Sequence, residues 1–240
     1  MRVTFYFTPK VDRRARILIC LVLILAAVLL LQTVLGRSST AMVSGLPLTG
    51  KTIVIDPGHG GYDPGVASNN ITEKVVALGI SVALRDYLQS AGARVVMTRE
   101  TDRDLLVLPT AGPKKNQDMK NRLKIIEDAN PDLLISVHAN AISAPRWRGA
   151  QVFYRGDCEA SRMLAQLLQQ ELIRVLENTN RKAKPGDYLV LNKSKVPGAM
   201  VETGFISNPE EAGLLSDPHY QSKVAWAIYV AINQYLDTTQ

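Results

Sequence analysis

Two runs, KTIVIDPG (residues 51–58) and LLISV (residues 133–137), are apolar at consecutive rather than alternate positions. A strand apolar on both faces has to be covered on both, which is the situation of a mainly parallel sheet between two layers of helices. The segments between the strand-like runs carry the helical period this arrangement needs. Thr72 precedes a helix-like stretch to about residue 91, with Val75, Val76, Leu78, Gly79, Val82, Ala83 and Leu88 as its expected inner side and Ala91-Gly92 as its stop. Residues 94–98 (RVVMT) read as the next strand, and 116–129 as a polar-faced helix ended by Asn130-Pro131. Residues 151–154 read as a short strand and 159–177 as a long amphipathic helix. Residues 188–191 and 199–201 are strand-like, and 218–236 close the chain as a helix. The expectation is α/β: a single domain over 51–240, a mainly parallel mixed sheet flanked by helices on both faces. Ligands of such sheets sit outside the carboxyl ends of the strands, so polar residues at strand ends are the ones to weigh.

The amino-terminal segment obeys different rules. Residues 17–36 (ILICLVLILAAVLLLQTVLG) hold no charge and, as a helix rising ~1.5 Å per residue, would span roughly the 30 Å of a bilayer core. The flank 1–16 is basic, and 37–50 is a Ser/Thr/Gly/Pro-rich linker. The segment therefore reads as a transmembrane anchor or a signal segment, with Ser39-x-Ala41 as a cleavage site in the second case. Both versions leave the flank cytoplasmic and export the rest. This also locates the net charge of +6. Residues 1–41 carry six basic side chains against one acid, whereas the remainder has 22 against 21. A nearly neutral body argues against a nucleic-acid partner, which needs Lys and Arg clustered on one face. Cys20 lies in the apolar run and Cys158 is alone in the body, so no disulfide within the domain is expected.

Four residues stand near strand or helix ends. His59 lies between glycines in DPGHGG, Glu73 opens the first body helix, His138 follows LLISV, and Glu202 follows the apolar stretch 199–201. Two neutral imidazoles with one carboxylate form a common catalytic zinc set that leaves a fourth position for water. A separate carboxylate can then take a proton from that water and pass it to a leaving amine. Which of Glu73 and Glu202 would hold the metal is not settled by residue type. His219, in the first turn of the last helix, is expected to be solvated or capping. There is no GxSxG elbow for serine chemistry, and the acids flanking Cys158 are expected to raise its thiol pKa, against a nucleophilic role.

At these residues the sequence resembles the zinc-dependent N-acetylmuramoyl-L-alanine amidases of bacterial cell walls, the amidase-3 family. IDPGHGGYDPG, the ITEK glutamate, VVMTRETD, NPDLLISVHANA and VETGFISNPEE occur in family order over about residues 50–238. The resemblance implies that His59, Glu73 and His138 bind Zn2+, that Glu202 is catalytic, and that the fold is one α/β domain. LPLTGK, WRGAQVFY and LENTNRKAK add a narrower likeness to the germination-specific spore-cortex amidases of endospore formers. That likeness implies cortex peptidoglycan, its glycan strands with stem peptides, as substrate. It also implies a place before a muramic acid deacetylase on the way to muramic δ-lactam, with room for a protein activator. The competing expectations are an inactive, membrane-tethered peptidoglycan-binding scaffold, or a zinc peptidase or deacetylase acting on another bond.

Overall fold

The structure is a computed structural model and describes residues 12–35, 45–110 and 112–239. The chain divides into two compact units, residues 1–44 and 45–240. In the first, α1 (Arg13–Leu35) is helical, and the side chains from Ile17 to Leu25 that are large and apolar are exposed. The side chains of residues 15, 16 and 27–35 lie outside the description, as do most of the basic flank and the Ser39-x-Ala41 tripeptide. Among the described residues no helix is long and apolar enough to cross a membrane.

The second unit contains β1 (Thr52–Pro57), the short pair β2 (Ala67–Ser68) and β3 (Ile71–Thr72), α2 (Glu73–Ser90), β4 (Arg94–Met97), α3 (Lys114–Ala129) and β5 (Leu133–Asn140). It continues with β6 (Gln151–Tyr154), α4 (Glu159–Leu176), β7 (Lys184–Pro185), α5 (Leu189–Lys193), β8 (Gly198–Phe205), α6 (Pro209–Ser216) and α7 (Pro218–Thr238). The six-stranded sheet runs β4-β1-β5-β8-β6-β7, and all neighbours are parallel except β6 and β8. Because β4 lies on one side of β1 and β5 on the other, the chain direction switches between β1 and β5, where doubly wound sheets place their ligands.

Side chains of successive strand residues point to opposite faces, and both faces here are dry. Ile53, Ile55, Leu133, Ile135, Val137, Ala199 and Val201 belong to a large cluster under α2, α4 and α7, while Val54, Leu134 and Met200 meet Ile126, Val190 and Leu191 of α3 and α5. The expected two-sided α/β domain is what the chain forms.

Four local expectations are corrected. Leu48 is buried in the core and its amide donates to the Ala91 carbonyl, so residues 45–50, read as the end of the linker, pack on the domain. On α2 the inner stripe is Val76, Ala77, Ile80, Leu84 and Leu88, while Val75 is exposed. The helix is apolar on several sides, and packing on the sheet, not periodicity alone, selects the stripe. Residues 189–193 are helix α5 rather than strand, a single turn that lays Val190 and Leu191 on the smaller cluster. Strands β5 and β8 extend through His138 and Glu202 instead of stopping before them, so both residues stand on the sheet itself.

Candidate metal centre and its surroundings

The loop after β1 turns sharply at His59, whose φ is 59°. Gly58 precedes it because the His138 imidazole lies where a Cβ would be. Gly65, at φ 66°, closes the loop under Glu73, where a Cβ would stand 2.5 Å from Oε2. Glu73 opens α2, buried, with its carboxylate between the two imidazoles. His138 Nδ1 donates to Oε1 at 2.7 Å, His59 Nε2 lies 3.0 Å from Oε2, and the Val66 amide donates to Oε2 at 3.1 Å. The two rings meet edge to face with centroids 5.1 Å apart. One ligand atom from each of His59, Glu73 and His138 lies within 4.8 Å of the others. Glu202 is opposite His138 in the β5–β8 register. The structure thus brings together all four residues picked from the sequence, whereas His219 is exposed, with its amide bonded to Asp217.

The electrostatics of the two carboxylates are opposite. Burial would raise the Glu73 pKa, but the hydrogen bonds and charges of His138 and His59 outweigh it and hold the group far below the usual carboxylate range. Glu202 is pushed up to about 7 by burial, reinforced by the Glu73 charge and only partly opposed by the histidines. Its Oε2 is buried with no hydrogen-bond partner among the described residues. For His59, burial alone would lower the pKa, and its bonds to Glu73 and Asp63 raise it above the ordinary value.

Several contributors were not visible in the sequence reading. Asp63 accepts from His59 Nδ1 at 2.9 Å and fixes the ring, leaving Nε2 to face Glu73. The signal available was a second Asp-Pro-Gly four residues beyond His59. Arg122 is buried, pairs with Asp56 and Asp118 at 2.8 Å each, and donates to the carbonyls of Pro57 and His59. Arg99, also buried, donates to the carbonyls of Gly58 and Lys74, next in sequence to His59 and Glu73. Arg99 therefore ties the histidine loop to α2, and Arg122 ties it to α3 and the end of β1. A cleft of about 170 Å³, walled by Met119, Tyr188, Val190 and Met200, opens beside the histidines. It is smaller than the roughly 300–1,000 Å³ of ligand-enclosing pockets.

Cys158 differs from expectation in one respect. Its thiol is held below its ordinary pKa, because hydrogen bonds from Ser161 and the nearby Arg155 outweigh the burial that would raise it. The flanking acids do not dominate, since they point away into solvent, as the exposed Asp157 side chain does.

A doubly wound α/β domain with two imidazoles and a carboxylate converging at its switch point is the architecture of a metal-dependent hydrolase. The chain matches the N-acetylmuramoyl-L-alanine amidase family over residues 53–234 and belongs to it; it is an amidohydrolase of the amidase-3 type. It is 49% identical over 194 residues to the germination-specific N-acetylmuramoyl-L-alanine amidase of Bacillus subtilis (strain 168), covering 79% of this chain and 81% of that relative. Its fold superposes on the CwlD amidase of Clostridioides difficile, solved in complex with the GerS lipoprotein, with a TM-score of 0.76, 40% identity and coverage of 78% and 99%. An N-acetylmuramoyl-L-alanine amidase from Clostridium difficile 630 superposes with a TM-score of 0.72 at 28% identity, covering 79% of this chain and 98% of that one.

Proposed function

We propose that this chain hydrolyses the amide between N-acetylmuramic acid and the L-alanine of the stem peptide in spore-cortex peptidoglycan. In this reading His59, Glu73 and His138 hold Zn2+ and Glu202 is the catalytic acid and base. The observation that carries it is the convergence of the three donors beside a buried, unpartnered carboxylate. The donor set fits the ion chemically. His59 faces a carboxylate from each ring nitrogen, and His138 faces Glu73, so without a cation the cluster must hold extra protons that a divalent metal replaces. When bound, zinc supplies Lewis-acid stabilisation of the amide carbonyl and lowers the pKa of water.

The chain's own groups do the rest. Asp63 keeps the His59 ring oriented, Arg99 holds its loop to α2 and Arg122 holds it to α3. Glu202, partly buried and poised near neutrality, accepts a proton from the attacking water and returns it to the alanine nitrogen as the C–N bond breaks. The products are a free lactyl carboxylate on muramic acid and a stem peptide with a free amine. Glu202→Ala is expected to retain zinc, measured by elemental analysis, and to release no stem peptide from purified cortex in mass spectra of the digest. Full release by that variant would overturn the mechanism.

The likeness to the germination-specific amidase supports a role ahead of muramic acid deacetylation and δ-lactam formation. The complex with GerS supports a lipoprotein partner for this chain as well. The uncharged run 17–36 and the basic residues before it support export with a membrane anchor, the catalytic domain lying outside the cytoplasmic membrane.

A further inference from the structure

Beyond the metal centre, one arginine of the described domain is rigidly mounted with no carboxylate in ion-pair range, although the buried Glu211 feels its charge. Arg181 follows α4 and reaches back over the sheet. Its guanidinium lies 5.0 Å from the ring centroid of the buried Phe205 and 5.6 Å from that of Trp147, against which Arg146 packs as well, at 5.5 Å. Nε donates to the Arg148 carbonyl and Nη1 to Gln151 Oε1, each at 3.2 Å. Among the described residues no carboxylate forms an ion pair with it, in contrast to Arg148, which pairs with Glu210. Stacking and two hydrogen bonds remove most of the side chain's freedom, yet Nη2 and one hydrogen of Nη1 have no acceptor among the described residues. An arginine preorganised in this way is suited to grip a planar carboxylate, because little entropy remains to be lost on binding.

Its position says which carboxylate. Gln151 is directly opposite Glu202 in the antiparallel β6–β8 register, so Arg181 is one cross-strand step and one hydrogen bond from the proposed acid and base. That separation is on the order of 10 Å, which, less a hydrogen bond of about 3 Å at each end, leaves the reach of one to two residues of extended peptide at about 3.5 Å each. We propose that Arg181 binds the free α-carboxylate of the stem residue that follows L-alanine, and that this contact selects acidic stem peptides over amidated ones. The inference rests on the amidase reading and deepens it.

The test compares two peptidoglycan preparations that differ only at that second stem residue, one with the free α-carboxylate and one with the carboxamide. Full-length, zinc-loaded protein, wild type and Arg181→Gln, is assayed for stem-peptide release from each. The preference ratio is internal to each protein preparation, so a reduced folded fraction in the variant cancels. Wild type is expected to favour the acid by about tenfold or more, the range set by a charge-assisted hydrogen bond. The difference should fall mainly on KM. Arg181→Gln should bring the ratio close to one, and Arg181→Lys should restore part of it. Equal rates on both substrates for wild type, or an undiminished preference in Arg181→Gln, would overturn the assignment. Failure of wild type to release peptide from either preparation would instead remove the amidase reading on which it stands.

Discussion

The two sides of the switch point treat buried charge in opposite ways. On the β1 side, Asp56 pairs with Arg122 and accepts hydrogen bonds from Thr98 and Ser136, while Arg122 also pairs with Asp118. On the β8 side, Glu211 is buried and Glu202 partly buried, with no cationic partner in salt-bridge range among the described residues, and desolvation raises the pKa of both. Glu211 is nonetheless satisfied, accepting from the backbone amides of Gly149 and Phe205 and from Asn178. Glu202 alone keeps an oxygen with no partner. Saturated charge holds the histidine loop in place, and the unsaturated carboxylate is left free to exchange a proton. A fold that paired Glu202 as it pairs Asp56 would fix its protonation state and remove its use.

The sharpest way to break this comparison is to neutralise one carboxylate on each side. Glu202→Gln should lower the hydrolysis rate by about 10²- to 10⁴-fold, the usual contribution of a general acid or base. Its denaturation midpoint should stay level or rise, because a buried unpaired acid is removed. On the other side, Arg122→Met leaves Asp56 buried without its counter-charge. It should cost about 3–5 kcal/mol in urea unfolding, as removal of one partner of a buried pair does. If the two variants showed the reverse pattern, with Glu202 bearing on stability and Arg122 on rate alone, the division of roles would be wrong.

The pH dependence of the metal-free protein should show the same contrast with opposite signs. The Asp56 pKa lies below its ordinary 3.8: burial would raise it, but Arg122 and Thr98 outweigh that. Its stabilising contribution is therefore present above that value and lost as pH falls through the folded pKa. Glu202 is raised from 4.5 to about 7, so the folded state favours its protonated form. Stability should decline as pH rises through that window, by about 3 kcal/mol at most, and Glu202→Gln should flatten that slope. Unfolding curves at pH 4.5, 6 and 7.5 for the two proteins decide it. The smallest effect is expected on the outer face of α3. Lys124, two residues beyond Arg122, forms an exposed pair with Asp128, and Lys124→Ala should change stability by no more than about 0.5 kcal/mol. A larger change would mean that burial is not what separates the two pairs on this helix.

Much of the candidate site was legible because its residues sit beside strong local signals. His59 follows a β-branched run stopped by Pro and Gly, and His138 and Glu202 each extend an apolar run with a polar residue a sheet does not bury idly. The supporting shell carries no such signal. Arg122 looks like one more charge on a polar-faced helix, yet it is buried against Asp56, 66 residues away in sequence. Arg181 sits in a basic stretch that reads as ordinary solvated surface, and only its stacking on Trp147 and Phe205 sets it apart from Lys182 and Lys184. The misassigned inner face of α2 has the same origin. Val75 and Val76 are chemically alike, and the difference between them is which one meets the sheet.

The sequence by itself determined the α/β alternation, the places of the principal strands β1, β4, β5, β6 and β8 and the four residues of the candidate site, since hydrophobic period and strand-end chemistry are properties of neighbouring residues. Tertiary structure alone decided that β1 and β5 lie side by side, that Glu73 bridges two histidines, that Glu202 keeps a free oxygen, and that Arg181 is held without an ion-pair partner among the described residues. These depend on contacts between residues far apart in the chain, as with the 65 positions separating Glu73 from His138. Both the burial that shifts a pKa and the distance that makes a ligand set exist only once those segments have packed.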